Sequence, residues 1–227
     1  VQYDNRGNTI EEACFGVDGN PGLCNDHFSI RRARYDQTDH EVEESVYGID
    51  GKPCLHRRGF ASVRKSYDDR GNVIEQCYFG LANEPVDTIE GYAAFAAEYD
   101  ERGNCIAKRY RGADGKPALR TNSSCEDEED LKGIFGIWRA LMLGALYSPE
   151  DMERIARGGF AAFEQRFDPR GNVIARWFTG ADGEPVEGPE GLARIEVEHD
   201  PLDQPLVIRG FRPDGSPLPE LRIDYTP

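Results

Sequence analysis

Regularly spaced aspartates are the first residues in this sequence whose type could do chemistry. Carboxylate oxygens are ligands that Ca²⁺ prefers. An aspartate directly precedes a glycine, as in some metal-binding loops, at Asp18, Asp50, Asp114, Asp182 and Asp214. A calcium loop needs several oxygen ligands that converge on one ion, whereas each of these segments offers one or two carboxylates. Because aspartate also caps the backbone of tight turns, we interpret these residues as turn residues and expect no metal ion.

The cysteines and histidines likewise form no recognisable ligand pattern. No CxxC pair occurs and the four histidines are not clustered, so we do not expect a zinc site. The even number of cysteines permits disulfides. We favour free thiols, because disulfides selected within a repeat should recur at equivalent positions, and these six cysteines do not: Cys14, Cys24, Cys54, Cys77, Cys105 and Cys125.

Sequence motifs of known enzyme classes are missing from the chain. It contains no GxSxG, HExxH, P-loop or dinucleotide-binding fingerprint. Pairs of carboxylates are uninformative in a chain that has 42 acidic residues. We therefore expect a protein that is not an enzyme and has no cofactor. A hydrolase whose site lies where the insertion described below meets the sheet remains an alternative.

An internal repeat sets the elements that position these residues. Aromatic–aspartate pairs recur at intervals of 32 residues, apart from one interval of 68, at Tyr3/Asp4, Tyr35/Asp36, Tyr67/Asp68, Tyr99/Asp100, Phe167/Asp168 and the degenerate His199/Asp200. A fixed period of this length is typical of repeat architectures. We therefore predict six tandem units in a single domain over residues 1–227, with 36 extra residues in the fourth unit.

Each unit is predicted to contain two strands joined by a tight turn. Apolar residues alternate with other residues, as at Phe95, Ala97 and Tyr99, and this period of two favours half-buried strands. Long polar residues lie between the apolar positions of the second strand. We expect their stems to cover apolar surface while their charged or polar ends stay in solvent, at Glu12, Glu44, Gln76, Lys108 and Arg176.

Two turns in each unit are predicted to place one residue in the left-handed region. Glycine, aspartate and asparagine tolerate a positive φ at low cost. The first turn has such a residue at Gly7, Asp39, Gly71, Gly103, Gly171 and Asp203, and the second at Gly19, Gly51, Asn83, Gly115, Gly183 and Gly215. A proline follows two residues after the second set in every unit, where it ends the pairing of the second strand or lies at an edge.

The extra residues of the fourth unit form an insertion within residues 118–158. Apolar residues at helical spacing predict a helix over 126–147. Ser148 as N-cap followed by Pro149 predicts a second, shorter helix that ends at Gly158 or Gly159. Two roles for the longer helix are open: its apolar face packs on the sheet, or part of that face binds a protein partner. The partner-binding hypothesis concerns Phe135, Trp138, Leu141 and Met142.

The turn sequences resemble two bacterial repeat families. The Tyr-Asp-x-x-Gly-Asn segments at 3–8, 67–72 and 99–104, with Phe-Asp-Pro-Arg-Gly-Asn at 167–172, resemble the YD repeats of rearrangement-hot-spot shell proteins. The paired turns are also similar to variant MORN repeats, which build extended sheets of hairpins. The 32-residue unit is longer than a YD unit, because it has a second Asp-Gly-x-Pro turn. The resemblances imply a bacterial, non-catalytic and often surface-associated repeat module, in the periplasm or at the cell surface rather than in the cytoplasm.

The overall composition excludes several classes of partner. A formal net charge of −15 opposes binding to nucleic acid and to anionic membranes, which require a basic surface. No apolar run reaches the roughly 18–20 residues needed to span a bilayer, so we expect no membrane insertion of this chain.

We therefore predict a mainly β protein. Its six hairpin units should form an elongated, twisted antiparallel sheet with an α-helical hairpin inserted in the fourth unit, and a closed propeller is the alternative architecture. The leading functional hypothesis is a binding or scaffold module for a protein partner, within a larger bacterial protein. The alternative is binding of carbohydrate or cell wall through exposed aromatic residues at Tyr78, Tyr110, Trp177 and Phe178.

Overall fold

The computed structural model of this chain is built mainly from short antiparallel strands, and it describes residues 1–121, 148–189 and 191–225. The elements in chain order are β1 Gln2–Tyr3, β2 Thr9–Ala13, β3 Ile30–Tyr35, β4 Glu41–Tyr47, β5 Ser62–Tyr67, β6 Val73–Phe79, β7 Ala94–Tyr99, β8 Cys105–Arg111, β9 Arg120–Thr121, α1 Pro149–Arg157, β10 Gly159–Phe160, β11 Ala162–Phe167, β12 Val173–Thr179, β13 Arg194–His199, β14 Pro205–Phe211 and β15 Leu221–Arg222. The predicted helix over 126–147 lies outside the described residues.

Thirteen of these strands form one sheet. Its order follows the chain from β1 to β8 and then from β11 to β15, and β9 pairs separately with β10. The prediction of a mainly β, antiparallel sheet is confirmed, whereas the number of repeat units and the helical hairpin remain predictions. The chain also divides into two compact parts, each larger than a single hairpin repeat. We call them the first unit (Val1–Ala97 with Arg111–Lys116) and the second unit (Glu98–Tyr110 with Pro117–Pro227).

Each hairpin has the same bulge beside its first turn. In the hairpin of β5 and β6, Val63 pairs with Tyr78, and the register then shifts between Ser66 and Tyr67 so that Tyr67 pairs with Val73. The same shift occurs in the hairpins β3/β4, β11/β12 and β13/β14. A turn whose last residue is left-handed produces such a bulge. The turn therefore sets the register of each hairpin and the face to which each side chain points.

The turn predictions are confirmed. All twelve predicted left-handed positions have positive φ, including the non-glycine residues Asp39, Asn83 and Asp203. The aspartate that opens the first turn acts as a cap: one carboxylate oxygen of Asp68 accepts hydrogen bonds from the backbone N–H groups of Arg70 and Asn72, each at 2.9 Å. The same pair of bonds recurs at Asp4, Asp36, Asp100, Asp168 and Asp200.

A third turn follows four of the second turns, in a segment predicted only as a loop. Its last residue also has positive φ, and this residue donates its backbone N–H to the carbonyl three positions earlier, at His27, Gly59, Gly91 and Gly191. The next residue is Phe28, Phe60, Tyr92 or Leu192. Each of these four turns thus places one large apolar side chain against one face of the sheet.

These side chains build an aromatic core. In the first unit the ring of Tyr78 lies 5.0 Å from the ring of Phe60 and 5.9 Å from that of Tyr92. In the second unit the ring of Phe160 lies 4.9 Å from that of Phe178. All five side chains are buried. Aromatic pairs at these separations add to the stabilisation that burial alone provides.

The long polar side chains of the second strands are not all solvated, and this part of the prediction is wrong. Lys108 and Arg176 are 6% and 1% exposed. The Nε of Arg176 donates to Oε1 of Gln165 at 2.8 Å, and its guanidinium lies 5.5 Å from the ring centre of Phe163. These side chains belong to the face that the third turns cover, and the guanidinium of Arg176 has an amide and an aromatic partner there.

The prediction of free thiols is wrong for one pair of cysteines. Cys14 and Cys24 form a disulfide with a Cα–Cα distance of 5.8 Å. The second turn brings them together, because the chain folds back and the backbone N–H of Gly22 donates to the carbonyl of Cys14 at 3.0 Å. Cys54 and Cys77 are free thiols and Cys105 is buried, and Cys125 lies outside the described residues.

The shorter predicted helix is confirmed as α1. Ser148 is its N-cap: the backbone N–H of Asp151 donates to the Ser148 hydroxyl, and the Asp151 carboxylate accepts the backbone N–H of Ser148, each at 3.1 Å. The helix ends at the C-cap Gly158. Across the parts of the chain that the structure describes, no helix has the length and apolar character to cross a membrane.

The tyrosine of the aromatic–aspartate pair links neighbouring hairpins. Its hydroxyl donates to a backbone carbonyl at the start of the second strand of the preceding hairpin, from Tyr35 to Thr9 at 3.0 Å and from Tyr67 to Glu41 at 2.8 Å. Tyr225, which is not followed by aspartate, makes the equivalent bond to Pro205 at 3.2 Å. This tyrosine follows β15, which pairs with β14. The repeat does not predict this strand, because Tyr225 follows His199 by 26 residues rather than 32.

Tyr67→Phe should lower the free energy of unfolding by about 1 kcal/mol, the typical contribution of one hydrogen bond. The ring itself fits, since Phe167 occupies the equivalent position. Urea unfolding followed by circular dichroism measures the effect. Tyr3→Phe is the matched control, because the Tyr3 hydroxyl makes no hydrogen bond within the described residues; equal losses in the two variants would contradict this role for the hydroxyl.

The capping aspartates should also make stability depend on pH. Partial burial opposes ionisation of Asp168, but the N–H donors of Asn172 and Arg170 bind its charged form and lower its pKa to about 2. Its contribution is therefore complete above the unfolded pKa, which is about 3.9, and is lost as the pH falls toward 2. Asp168→Asn should be less stable than wild type at pH 7, and the difference should shrink in urea titrations at pH 2–3. A difference that is constant with pH would contradict this assignment.

Candidate functional site: a basic aromatic groove

The sheet has a second face, which we call the outer face, on the side opposite the aromatic core. Successive side chains of a strand point to opposite faces, so Trp177 lies on the outer face beside the buried Phe178. Arginines cover the aromatic rings of this face, at distances from guanidinium carbon to ring centre of 4.5 Å for Arg32/Tyr47, 4.2 Å for Arg64/Phe79, 5.6 Å for Arg166/Trp177 and 4.0 Å for Arg194/Phe211. Such cation–π pairs stabilise rings that are not fully buried.

In the second unit, two of these pairs meet to form a groove. Trp177 on β12, Arg194 on β13 and Phe211 on β14 are direct cross-strand neighbours. They line a cavity of about 520 Å³, together with Arg166, Arg212 and the prolines Pro185 and Pro213. This volume is within the range of ligand-binding clefts. We call this cavity the basic aromatic groove.

The lining of the groove is positively charged. Three arginines line it and no aspartate or glutamate does: Arg166, Arg194 and Arg212. The nearest ion pair joins Nη2 of Arg194 to Oε1 of Glu196 at 3.4 Å. Guanidinium groups stay protonated throughout the physiological pH range. The groove therefore carries local positive charge in a chain whose net charge is −15.

The equivalent position in the first unit shows that the fold does not require this groove. There the cross-strand neighbours are Cys77 and Ala94, and Arg111 stands in place of Phe211. The corresponding cavity is about 220 Å³. Glu75 lines it and forms an ion pair with Arg111 at 2.8 Å. The same hairpin geometry thus forms with small side chains and paired charges, so Trp177, Arg194 and Phe211 are specialised residues.

A second cavity of the second unit is a weaker candidate. It has a volume of about 560 Å³ beside two first turns, and its polar lining residues are Asp100, Glu101, Arg102, Gln165, Arg166 and Asp168. The carboxylates of both aspartates already accept the backbone N–H groups of their own turns. Arg102 donates to the carbonyl of Pro169. Asp100, Arg102 and Asp168 are therefore used by the turns themselves, and Gln165 by Arg176 and the carbonyl of Cys105.

Comparisons with known proteins find no matching family model and no matching curated protein. Three similar solved structures are crystal structures of TcdB2-TccC3-Cdc42 (12% identity, TM-score 0.30, covering 92% of this chain and 9% of that chain) and TcdB2-TccC3-TEV (12%, 0.26, 95% and 11%), and a Photorhabdus luminescens Tc holotoxin pore (14%, 0.17, 99% and 14%). This chain spans only these small shares of their length. TM-scores this low carry no argument about its function.

The structure separates the four residues of the carbohydrate hypothesis. Tyr78, Tyr110 and Phe178 are 2%, 1% and 0% exposed, so the expectation that they form an exposed surface is wrong. They point toward the core because their strand positions face the third turns. Trp177 is half-buried and lines the basic aromatic groove. The residues of the partner-binding hypothesis lie outside the described residues: Phe135, Trp138, Leu141 and Met142.

Of the groove residues, only Trp177 was predicted as a site residue. Four others were not: Arg166, Arg194, Phe211 and Arg212. A signal was available, because the repeat aligns Trp177 with Cys77 and Arg194 with Ala94. Where equivalent positions carry a small side chain in one unit and a large one in the other, the fold does not require a particular side chain. Within the described residues, no three His, Cys, Asp or Glu side chains are grouped so that they could hold a metal ion.

Trp177→Cys and Arg194→Ala introduce the residues that the first unit has at these positions, and we expect both variants to fold. The change in the free energy of unfolding should be small, about 0.5–1 kcal/mol for each, since the side chains are not core residues. Urea unfolding monitored by circular dichroism measures it. As a comparison, Phe178→Ala removes a fully buried ring and should cost about 3–5 kcal/mol. Equal losses for Trp177→Cys and Phe178→Ala would mean that Trp177 is structural.

Proposed function

We propose that this protein is a non-catalytic binding module and that the basic aromatic groove binds a protein partner. The observation that supports this most directly is the row Trp177, Arg194 and Phe211, which the fold does not need. Tryptophan and arginine are the residue types most enriched among those that dominate the energy of protein interfaces.

Burial arguments support the same proposal. Removing apolar surface from water is worth about 25 cal/mol per Å², so a large ring that is left half-exposed gives up stabilisation. Trp177 and Phe211 are both half-buried and adjacent to one common cavity. Exposed apolar surface that is contiguous and bordered by polar groups is typical of interaction sites. A bound partner would complete the burial of both rings.

The rest of the chain is proposed to act as a scaffold for this site. We propose six tandem hairpin units with a helical insertion over residues 118–158, and the recurring turn geometry supports this count. In repeat proteins each unit contacts mainly its neighbours, which lets one position vary without loss of the fold. We further propose that the module belongs to a larger bacterial protein of the periplasm or cell surface. The Cys14–Cys24 disulfide supports an oxidising compartment.

Site-specific photo-crosslinking tests the proposal. Benzoylphenylalanine replaces Thr179, which lines the groove, or Ser62, which is on the outer face of the first unit. Both proteins are irradiated in lysate of the native host, and adducts are identified by mass spectrometry. We expect one recurrent protein adduct from position 179 that is absent from position 62. Adding Trp177→Cys should reduce its yield at least about tenfold, which corresponds to about 1.4 kcal/mol.

Two results would count against this function. Equal adducts from both positions, or adducts unaffected by Trp177→Cys, would show that the groove is not the binding site. Binding to a glycan array that requires Trp177, with no protein adduct, would favour the carbohydrate alternative instead. Trp177 is the one residue of that hypothesis that the structure leaves accessible.

A further inference from the structure

We propose that the basic aromatic groove binds an acidic segment of its partner, in which a carboxylate lies beside an aromatic or large aliphatic side chain. This inference rests on the proposed function and specifies the chemistry of the ligand. Its first basis is the ion pairing of the outer face. Elsewhere on that face arginines have carboxylate partners, as in Arg32–Glu11 at 2.7 Å, Arg64–Glu43 at 3.5 Å, Arg111–Glu75 at 2.8 Å and Arg209–Glu220 at 2.7 Å.

The groove departs from this pattern. Within the part of the chain that the structure describes, Arg166 and Arg212 form no ion pair with a carboxylate, and both are exposed. Arg194 has the single partner Glu196. The first unit has Arg111 paired with Glu75 in the corresponding cavity. Since Arg194 has Glu196 and the charge of Arg212 interacts with Asp214, Arg166 is the groove arginine without a carboxylate among the described residues, and a ligand carboxylate would supply one.

The geometry of the arginines is suited to a carboxylate next to an apolar group. The guanidinium carbon of Arg166 lies over Trp177 at 5.6 Å from the ring centre, and that of Arg194 lies over Phe211 at 4.0 Å. A guanidinium that stacks on a ring keeps its N–H donors in its own plane, where they can bind a carboxylate bidentately. The rings below and the prolines Pro185 and Pro213 beside them offer apolar contact to a neighbouring side chain. A ligand segment with a carboxylate beside an apolar side chain can contact both the arginines and the apolar residues of the groove.

The net charge of the chain favours one class of anionic ligand for the groove over another. A phosphate polymer carries dense negative charge and depends on many cationic contacts, which the three arginines of the groove cannot provide against a net charge of −15. A protein segment with a few carboxylates separated by apolar residues carries much less charge. Its apolar contacts also keep their strength in salt, whereas exposed charge pairs are screened. The structure therefore favours an acidic peptide over nucleic acid.

A displayed library of random dodecapeptides tests this inference on the full chain. Peptides are selected on wild type and counter-selected on the Trp177→Cys/Arg194→Ala double variant, which carries the residues of the first unit. We expect enriched sequences to have Asp or Glu within one or two positions of Phe, Trp, Tyr, Leu or Ile. The enriched peptides are then synthesised with a fluorescent label, and their affinities are measured by anisotropy.

Three changes should each weaken binding at least about fivefold: Arg166→Gln, replacement of the peptide carboxylates by amides, and an increase in salt from about 50 to 500 mM, which shortens the Debye length. Arg64→Ala is the matched control, because it removes the same kind of stacked arginine from Phe79 in the first unit. It should leave the affinity unchanged. Binding that survives in the double variant, or that Arg64→Ala weakens as much as Arg166→Gln does, would overturn the inference.

The outcomes separate this inference from the proposed function. Enrichment of uncharged or basic peptides that still require Trp177 would overturn the acidic-ligand inference and leave the groove as a binding site. Failure to enrich any peptide that depends on the groove would also overturn it. The proposed function would then be decided by the photo-crosslinking at Thr179, which needs no assumption about the charge of the ligand.

Discussion

The aspartate-capped first turn is the constraint on which the rest of the structure depends. Its carboxylate binds two backbone N–H groups, and its last residue is left-handed, so the hairpin acquires a bulge at one fixed place. Register in a sheet has a period of two, and a slip of one residue would exchange the core face for the outer face. The turn thus determines that Tyr78 is buried and that its neighbour Phe79 lies on the outer face beneath Arg64.

The two faces then follow different rules. The core face is covered by the third turns, so its aromatic rings pack together and even Arg176 is enclosed, with Gln165 as its partner. The outer face lacks this cover and is stabilised by arginines that stack on rings and pair with carboxylates. Core positions therefore have little freedom to vary, whereas outer positions can change without disturbing the strands beneath them. Such a division lets a repeated scaffold carry a single specialised site.

The basic aromatic groove shows how that freedom is used. Compared with the first unit, it replaces Cys77 by Trp177 and Ala94 by Arg194, and it lacks the carboxylate that Glu75 supplies. The changes add a half-buried ring at Trp177 and a cation at Arg194 whose ion-pair partner is Glu196. Stability is given up locally at a surface position, where the neighbouring hairpins maintain the fold. This distribution is expected of a binding site built on a structural repeat.

The sequence by itself determined the local structure. The left-handed residues, the aspartate caps, the antiparallel strands and helix α1 depend on interactions over a few residues, and types such as Gly71, Asp68 and Ser148 specify them directly. Tertiary structure decided the burial of Tyr78 and Arg176, the Cys14–Cys24 disulfide and the assembly of the groove. These depend on which face a residue occupies and on side chains from other strands, as when Trp177, Arg194 and Phe211 meet across three strands. Composition and periodicity report the alternation of a strand, but not what covers each of its faces.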